Sequence, residues 1–409
     1  MLLSISWSDN EGGHRGRKGR PVSEAPTIRR LALDGSDGSA VAVFCGESHC
    51  AALSANGTLF TWGDSSDGKL GRAPVEAGLD VAYEPRPVRT FGATLHVRAV
   101  ACGARHTLCL TSAGAVWAWG CGTFGALGLG PETIEEQPRP QPIPELHRDV
   151  LAIASGVYHS VALAPISLCE RMPHTLICSQ HAADPLAAGV EGKRADDSPA
   201  IWTWGWSRYG QLGDGSDGGH VFSPRPLPRR AVHPLSPTMR EKDGSASPNL
   251  EGASGWSGPP PSLVASGAQH CLAVDTTGSL AAWGANEAGQ LGLGDIAHRR
   301  TPTRINAAQG FGTSPIVAIS CGRKRSIAQD ANGDVFAWGA LLESPVRSTS
   351  ALTLIPAQLP SFERVRAVAC STSFIVAISE AGELIVLGGD GKTADRLSLP
   401  EGFGNCLSV

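Results

Sequence analysis

A chain of 409 residues with a formal net charge of -4 and a pI near 6.3 has no overall electrostatic pull toward nucleic acid or an acidic membrane, so tight nucleic-acid binding is disfavoured. Its 50 Gly and 29 Pro, with aromatics at only 6%, suit many short strands joined by tight turns. The apolar fraction of 42% is still enough to build a sizeable core.

From the N-terminus, Met1-Leu2-Leu3-Ser4-Ile5-Ser6-Trp7 lacks a basic leader and an adequate apolar run, so no secretory signal is expected. No stretch is apolar for long enough to span a bilayer. The expected location is cytoplasmic, nuclear or both, and the eleven cysteines are then expected to be mostly free thiols. The run His14-Arg15-Gly16-Arg17-Lys18-Gly19-Arg20 has the composition of a phosphate contact or a nuclear signal, but short clusters of this kind are more often solvated loop.

A repeat then dominates the chain. Phe44-Cys45-Gly46-Glu47-Ser48-His49 aligns with Ala101-Cys102-Gly103-Ala104-Arg105-His106, and the Gly-x-x-His frame returns at Gly156 with His159 and at Gly267 with His270. At Gly322 the frame persists without its His, as Arg323-Lys324-Arg325, and it fades around Cys370 and Ser371. Each copy is followed by a Gly-containing turn, an alternating apolar strand, Trp-Gly, and then a Gly-x-Leu-Gly loop, as in Trp119-Gly120 before Gly125-Ala126-Leu127-Gly128. Trp62, Trp204, Trp283 and Trp338 occupy the same place, Trp7 precedes them, and Leu387-Gly388 is a worn copy.

The intervals around Trp204 are longer than the others and locate two insertions, near 165–199 and 230–262, expected as surface loops on a single domain spanning 1–409. A unit of roughly fifty residues with four short strands cannot bury both faces alone, so it must stack on a neighbour. The strand Leu2–Ser6 has no partner hairpin in the repeat frame. It is expected to complete the blade begun by Asn405-Cys406-Leu407-Ser408-Val409, closing the ring and removing exposed strand edges.

His49, His106, His159 and His270 invite a metal or catalytic reading, but one residue per blade around a ring does not converge on an ion. They are read as structural, each donating to a backbone carbonyl at a strand turn. The Trp residues supply apolar bulk and one N–H, suited to a wedge between blades. Cys45, Cys102, Cys321 and Cys370 precede their glycines where Ser155 and Ser266 stand in other copies, the interchange of a small packed residue. They lack zinc-type spacing, and Cys169 with Cys178 is a looser metal or redox possibility. No phosphate-cradling loop, nucleophile elbow or zinc helix is present, so no catalytic residue, metal or cofactor is assigned.

The Cys-Gly-x-x-His frame, together with Trp-Gly followed by Gly-Gln-Leu-Gly, resembles the repeats of the regulator-of-chromosome-condensation family and covers nearly the whole chain outside the insertions. The resemblance implies an all-β, seven-bladed propeller, here closed by pairing of the terminal strands. The first loop, Asp9 to Gly16, and the fifth, Ala340 to Ser344, depart from the pattern.

Function in such a fold is grafted onto its loops, which makes partner binding the expectation and a monomeric, non-enzymatic scaffold or regulatory subunit the favoured class. The candidate partner-binding residues are Trp206, Arg208 and Tyr209 in the loop after Trp204, and Arg323, Lys324 and Arg325 at the degenerate turn, since aromatic and Arg side chains anchor interfaces. The resemblance implies two narrower roles. One is that of the alpha-tubulin suppressor branch, whose partner is a small metal-binding electron carrier in tRNA wobble modification and diphthamide synthesis. The other is guanine-nucleotide exchange on a small GTPase.

Overall fold

The computed structural model describes residues 2–6, 27–31, 40–72, 81–91, 95–170, 198–216, 218–228, 255–306, 310–311, 313–340, 352–359, 362, 365–370, 375–381, 383–387 and 394–398. After β1 (Leu2–Ser6) and β2 (Thr27–Leu31), the described residues form 24 further strands in six four-stranded antiparallel sheets. Blade one holds β3 (Ala40–Cys45), β4 (His49–Ser54), β5 (Leu59–Asp64) and β6 (Val81–Pro87). Blade two holds β7 (Val97–Cys102), β8 (His106–Thr111), β9 (Val116–Gly120) and β10 (Gln137–Pro142). Blade three holds β11 (Ala152–Ser155), β12 (His159–Pro165), β13 (Pro199–Trp206) and β14 (His220–Pro226). Blade four holds β15 (Pro261–Ser266), β16 (His270–Asp275), β17 (Leu280–Gly284) and β18 (Arg299–Arg304). Blade five holds β19 (Ile316–Cys321), β20 (Arg325–Asp330), β21 (Val335–Ala340) and β22 (Leu352–Gln358). Blade six holds β23 (Val365–Cys370), β24 (Ile375–Ser379), β25 (Glu383–Leu387) and β26 (Ala394–Ser398).

The Gly-x-x-His frame is the tight hairpin between the first two strands of a blade. Gly46, Gly103, Gly156 and Gly267 donate their N–H to the carbonyls of His49, His106, His159 and His270 at 2.8–2.9 Å, and Gly322 does so to Arg325 at 3.0 Å. The hairpin therefore survives the loss of its His.

The second and third strands of a blade are largely buried on both faces, which explains their near-continuous apolar sequence. All six residues of β8 are buried. Leu108 and Leu110 pack with Ala162, Trp202 and Trp204 of blade three, while Cys109 packs with Ala51 and Leu53 of blade one. The same sharing joins blades three and four, four and five, and five and six. The first strands of successive blades face one another, and Gly46, Gly103, Gly156, Gly267, Gly322 and Cys370 each line an axial channel.

Two expectations are corrected. The described residues form six four-stranded blades, not seven. Among the described residues the N-terminal strand pairs with β2, Leu2 opposite Leu31 and Ser6 opposite Thr27, in a separate two-stranded sheet, and the expected C-terminal partner, 405–409, lies outside the described residues. The local segment Thr27-Ile28-Arg29-Arg30-Leu31, outside the repeat frame, provides the partner that the repeat pattern concealed. Leu407, the basic run 14–20, Cys178 and most of both insertions lie outside the described residues. The described edge of the second insertion is built into the core, with Trp256 buried against Trp283 and Ile201 and its Nε1 donating to Pro259 O at 2.7 Å. No helix among the described residues is long and apolar enough to cross a membrane.

Candidate protein-binding face

The blades are locked by one repeated device. His106 Nε2 lies 2.8 Å from Ser160 Oγ in the next blade. Ser160 Oγ donates to the loop carbonyl of Ala126 at 2.9 Å, and Trp204 Nε1 donates to the same carbonyl at 2.9 Å. Blades one and two repeat it with His49, Thr107, Lys69 O and Trp119 at 2.7–2.8 Å. Blades four and five repeat it with His270, Ser326, Gln290 O and Trp338 at 2.7–2.9 Å. Between blades three and four a thiol takes the hydroxyl's place: His159 Nε2 is 3.2 Å from Cys271 Sγ, and Ser266 Oγ adds a contact at 2.7 Å. Trp283 Nε1 completes this joint on Gln211 O at 3.0 Å.

The expectation that each His donates to a backbone carbonyl is thereby corrected, because a side chain of the next blade stands between Nε2 and the carbonyl. The hydroxyl gives its one proton to the carbonyl, so it accepts from the imidazole, which fixes the Nε2–H tautomer. Nδ1 of all four histidines has no hydrogen-bond partner. Burial lowers their pKa, to about 3 for His49 and His159 and about 4 for His106 and His270, and keeps the rings neutral. The five repeat Trp residues divide accordingly: Trp119, Trp204, Trp283 and Trp338 are fully buried, whereas Trp62 is half-buried against Val43 and Phe60.

At blades five and six the device is absent as a unit. Arg325 replaces the His, Ile375 replaces the hydroxyl residue and Leu387 replaces the Trp. Two of the three replacements are apolar, while the third buries a guanidinium in the histidine's place, since Arg325 is only 2% exposed.

This framework brings two kinds of turn to one end of the propeller: the hairpin between the first and second strands, and the loop after the third. The residue before the His in one blade meets the loop of the blade before it. Arg105 grips Asp67 through two hydrogen bonds of 2.8 and 2.6 Å and reaches Tyr158 Oη at 3.2 Å. The carboxylate raises the guanidinium pKa further, so Arg105 is always charged. Tyr158 meets Phe124 edge-on at 5.1 Å, and Phe124 stacks on Trp206 at 5.5 Å with 17° between planes. Trp206 contacts Tyr209, and Tyr209 contacts His298 of blade four at 5.1 Å. His220 packs on Phe124 at 4.8 Å, and Arg208 lies 5.7 Å above the Tyr209 ring. The result is an uninterrupted line of rings and guanidinium groups from Arg105 of blade two to His298 of blade four, anchored on Asp67 of blade one, with Phe124, Tyr158, Trp206 and Tyr209 half-buried and Arg208 exposed.

Of the residues expected from sequence, Trp206, Arg208 and Tyr209 come together on this line. Arg323 is exposed on the channel wall, and Lys324 is exposed and paired with Glu287 at 3.2 Å. Arg325 is only 2% exposed and presents no side-chain surface. Asp67, Arg105, Phe124, Tyr158, His220 and His298 were not singled out from sequence. A signal existed: the position before the His reads Ser48, Arg105, Tyr158, Gln269 and Lys324 in an otherwise constant frame. Variable chemistry on an invariant turn marks a presented surface. Among the described residues no group of His, Cys, Asp or Glu is placed to hold a metal ion.

Two family models match the chain, both described as the regulator of chromosome condensation (RCC1) repeat. One covers residues 56–110, 113–163, 200–236 and 277–329, and the other 40–69, 97–126 and 262–290. The chain is 30% identical to the human E3 ubiquitin-protein ligase HERC2 over 76% of its own length, but it spans only 6% of that protein. The crystal structure of human WBSCR16 is similar with a TM-score of 0.64 at 21% identity, covering 96% of this chain and 88% of that one. Prp20p from Saccharomyces cerevisiae is similar with a TM-score of 0.61 at 20% identity, covering 89% and 76% respectively.

Proposed function

The chain belongs to the regulator of chromosome condensation repeat family, and from that premise we propose that it is a non-enzymatic scaffold or regulatory subunit that docks a protein partner on the face carrying Arg105, Phe124, Tyr158, Trp206 and Tyr209. The observation that carries this reading is the line of half-exposed rings across two blade boundaries. Most aromatic side chains of the described core are fully buried, so a contiguous row left partly open to solvent calls for a function. Trp and Tyr supply large contact area at low entropic cost, and with Arg they are the usual anchors of interfaces. Rigid blades beneath them hold the row in one shape before a partner arrives.

The partner's identity separates two narrower roles that the family allows. A small metal-binding electron carrier fits the alpha-tubulin-suppressor-like role in tRNA wobble modification and diphthamide synthesis. A small GTPase fits guanine-nucleotide exchange, in which the propeller acts by binding its partner's nucleotide-free state better. The similar yeast protein Prp20p is described by its binding properties to Gsp1p and histones, and the similar protein HERC2 is named an E3 ubiquitin-protein ligase. Our reading takes a protein partner from the first and no ligase activity from the second. A nuclear or cytoplasmic site of action is part of the proposal.

The test is affinity capture with the full chain, comparing wild type with Trp206→Ala, Tyr209→Ala and, at the opposite end, Asn332→Ser. A stable partner that is retained by Asn332→Ser and lost by the other two supports the face. Recovery of the same partner with all three variants refutes it. Acceleration of labelled guanine-nucleotide release from a recovered GTPase would select the exchange role.

A further inference from the structure

Blade one carries a pair of thiols that the other blades do not repeat. Cys45 ends β3, Cys50 follows His49 in β4, and the two are directly opposed across the hairpin. The equivalent pairs are Cys102 with Thr107, Ser155 with Ser160, Ser266 with Cys271, Cys321 with Ser326 and Cys370 with Ile375. Each of those has sulfur on one strand at most.

The backbone places this pair well for a covalent bond. Gly46 N donates to His49 O at 2.8 Å, which makes Gly46 and His49 the hydrogen-bonded pair of the ladder. Cys45 and Cys50, one step along, are therefore the non-hydrogen-bonded pair, the type whose Cα atoms approach to about 4.5 Å. That spacing lies within the range of about 4.4–6.8 Å that disulfides accept. The Sγ atoms are 3.5 Å apart, Cys45 is exposed and Cys50 is partly exposed.

We infer that Cys45 and Cys50 form a modification site for a two-electron oxidant of the peroxide class, which converts them to a cross-strand disulfide. Cys50 S–H donates to Cys45 Sγ, and that hydrogen bond lowers the Cys45 pKa while raising that of Cys50. Cys45 is thus the attacking thiolate. Its sulfur takes one peroxide oxygen, the O–O bond breaks, and the leaving hydroxide accepts the proton that Cys45 released, giving a sulfenic acid and water. Cys50 sulfur then attacks the Cys45 sulfur, the S–O bond breaks, and the departing oxygen takes up the Cys50 proton as a second water. Two thiols lose two hydrogens, and one peroxide becomes two waters.

The site has a structural readout. Cys50 stands at the register position of Thr107, Ser160 and Ser326, and its S–H, which donates to Cys45 Sγ, is lost when the disulfide forms. Cys45 lines the axial channel, so the new bond also ties the channel wall to the second strand.

The reduced full chain is exposed to hydrogen peroxide, free thiols are blocked with a light alkylating reagent, disulfides are then reduced, and the released thiols are labelled with a heavy one for peptide mass spectrometry. Cys45 and Cys50 are expected to acquire the heavy label together, and before buried Cys109 and Cys271 do. In Cys50→Ser the heavy label at Cys45 is lost, and a dimedone adduct at Cys45 replaces it; in Cys45→Ser residue Cys50 stays light. Pairing of Cys45 with Cys102, or failure of Cys45 and Cys50 to oxidise in a chain with the native melting curve, overturns the inference.

Discussion

His106 reaches across a blade boundary to Ser160, with Nε2 2.8 Å from Oγ, and the hydroxyl passes its own proton to Ala126 O. Both side chains are fully buried, so neither can exchange this bond for water. His106→Ala is expected to cost about 2–4 kcal/mol, from the cavity and the lost hydrogen bond together. Ser160→Ala removes the same link from the other side. A double-mutant cycle by urea unfolding should give a coupling of about 1–2 kcal/mol between them, whereas additive costs would mean that the contact contributes nothing.

The four buried histidines make stability depend on pH. Their folded pKa values of about 3 to 4 lie below the unfolded value of about 6.5. The unfolded chain therefore binds more protons in the interval between them, and stability present above pH ~6.5 is lost as the pH falls toward ~4. At pH 5 each histidine withdraws about 2 kcal/mol by this linkage. Melting temperature should drop steadily from pH 7 to pH 5, and His106→Phe, whose ring cannot be protonated, should show a shallower fall than wild type.

Glycines with similar backbone angles should differ sharply in tolerance. Gly292 has φ +71°, and a Cβ there would sit 2.8 Å from Trp338 Nε1, the indole that seals the next blade. Gly130 has φ +94° with open space around it. Gly130→Ala is expected to cost about 1 kcal/mol from backbone strain alone, and Gly292→Ala at least about 2 kcal/mol more, because the indole must also move. Denaturant midpoints of the two variants measure the contrast.

Trp256 lies next to a Pro, Ser and Gly-rich stretch without repeat signal, yet it is only 4% exposed. Trp256→Ala should cost about 3–5 kcal/mol, comparable with a core Trp and measurable by the same unfolding experiment.

Asp67 and Arg105 form a bidentate pair whose guanidinium side is 42% exposed. Solvent screens such a pair, so Asp67→Asn should lower stability by at most about 1 kcal/mol. It should nevertheless loosen Arg105 beneath Tyr158 and weaken partner capture. Thermal melts and captured yield, measured on the same preparation, separate the two effects.

The sequence carried the hairpins, the buried Trp positions and the channel residues, because a repeated packing problem is solved with repeated residues. Gly-x-x-His recurs because the His and the Gly share one tight turn. Two features were hidden for opposite reasons. The family resemblance implies one blade more than the six described, and the strand that pairs with Leu2–Ser6, Thr27–Leu31, has no repeat signature. The ring line was missed because Phe124 and Tyr158 stand far apart in sequence at positions where the repeat tolerates any residue. Only the stacking of blades brings them to 5.1 Å. Trp206 and Tyr209, which break the local pattern within a single loop, were visible without that step.

Hydrogen exchange of the free chain against its captured complex reports which end of the propeller the partner covers. Protection on binding is expected in the turns at residues 103–106, 121–126, 156–159 and 206–211, with the hairpins at 111–116, 275–280 and 330–335 unchanged. Protection confined to those latter hairpins would place the partner on the opposite end and contradict the assignment.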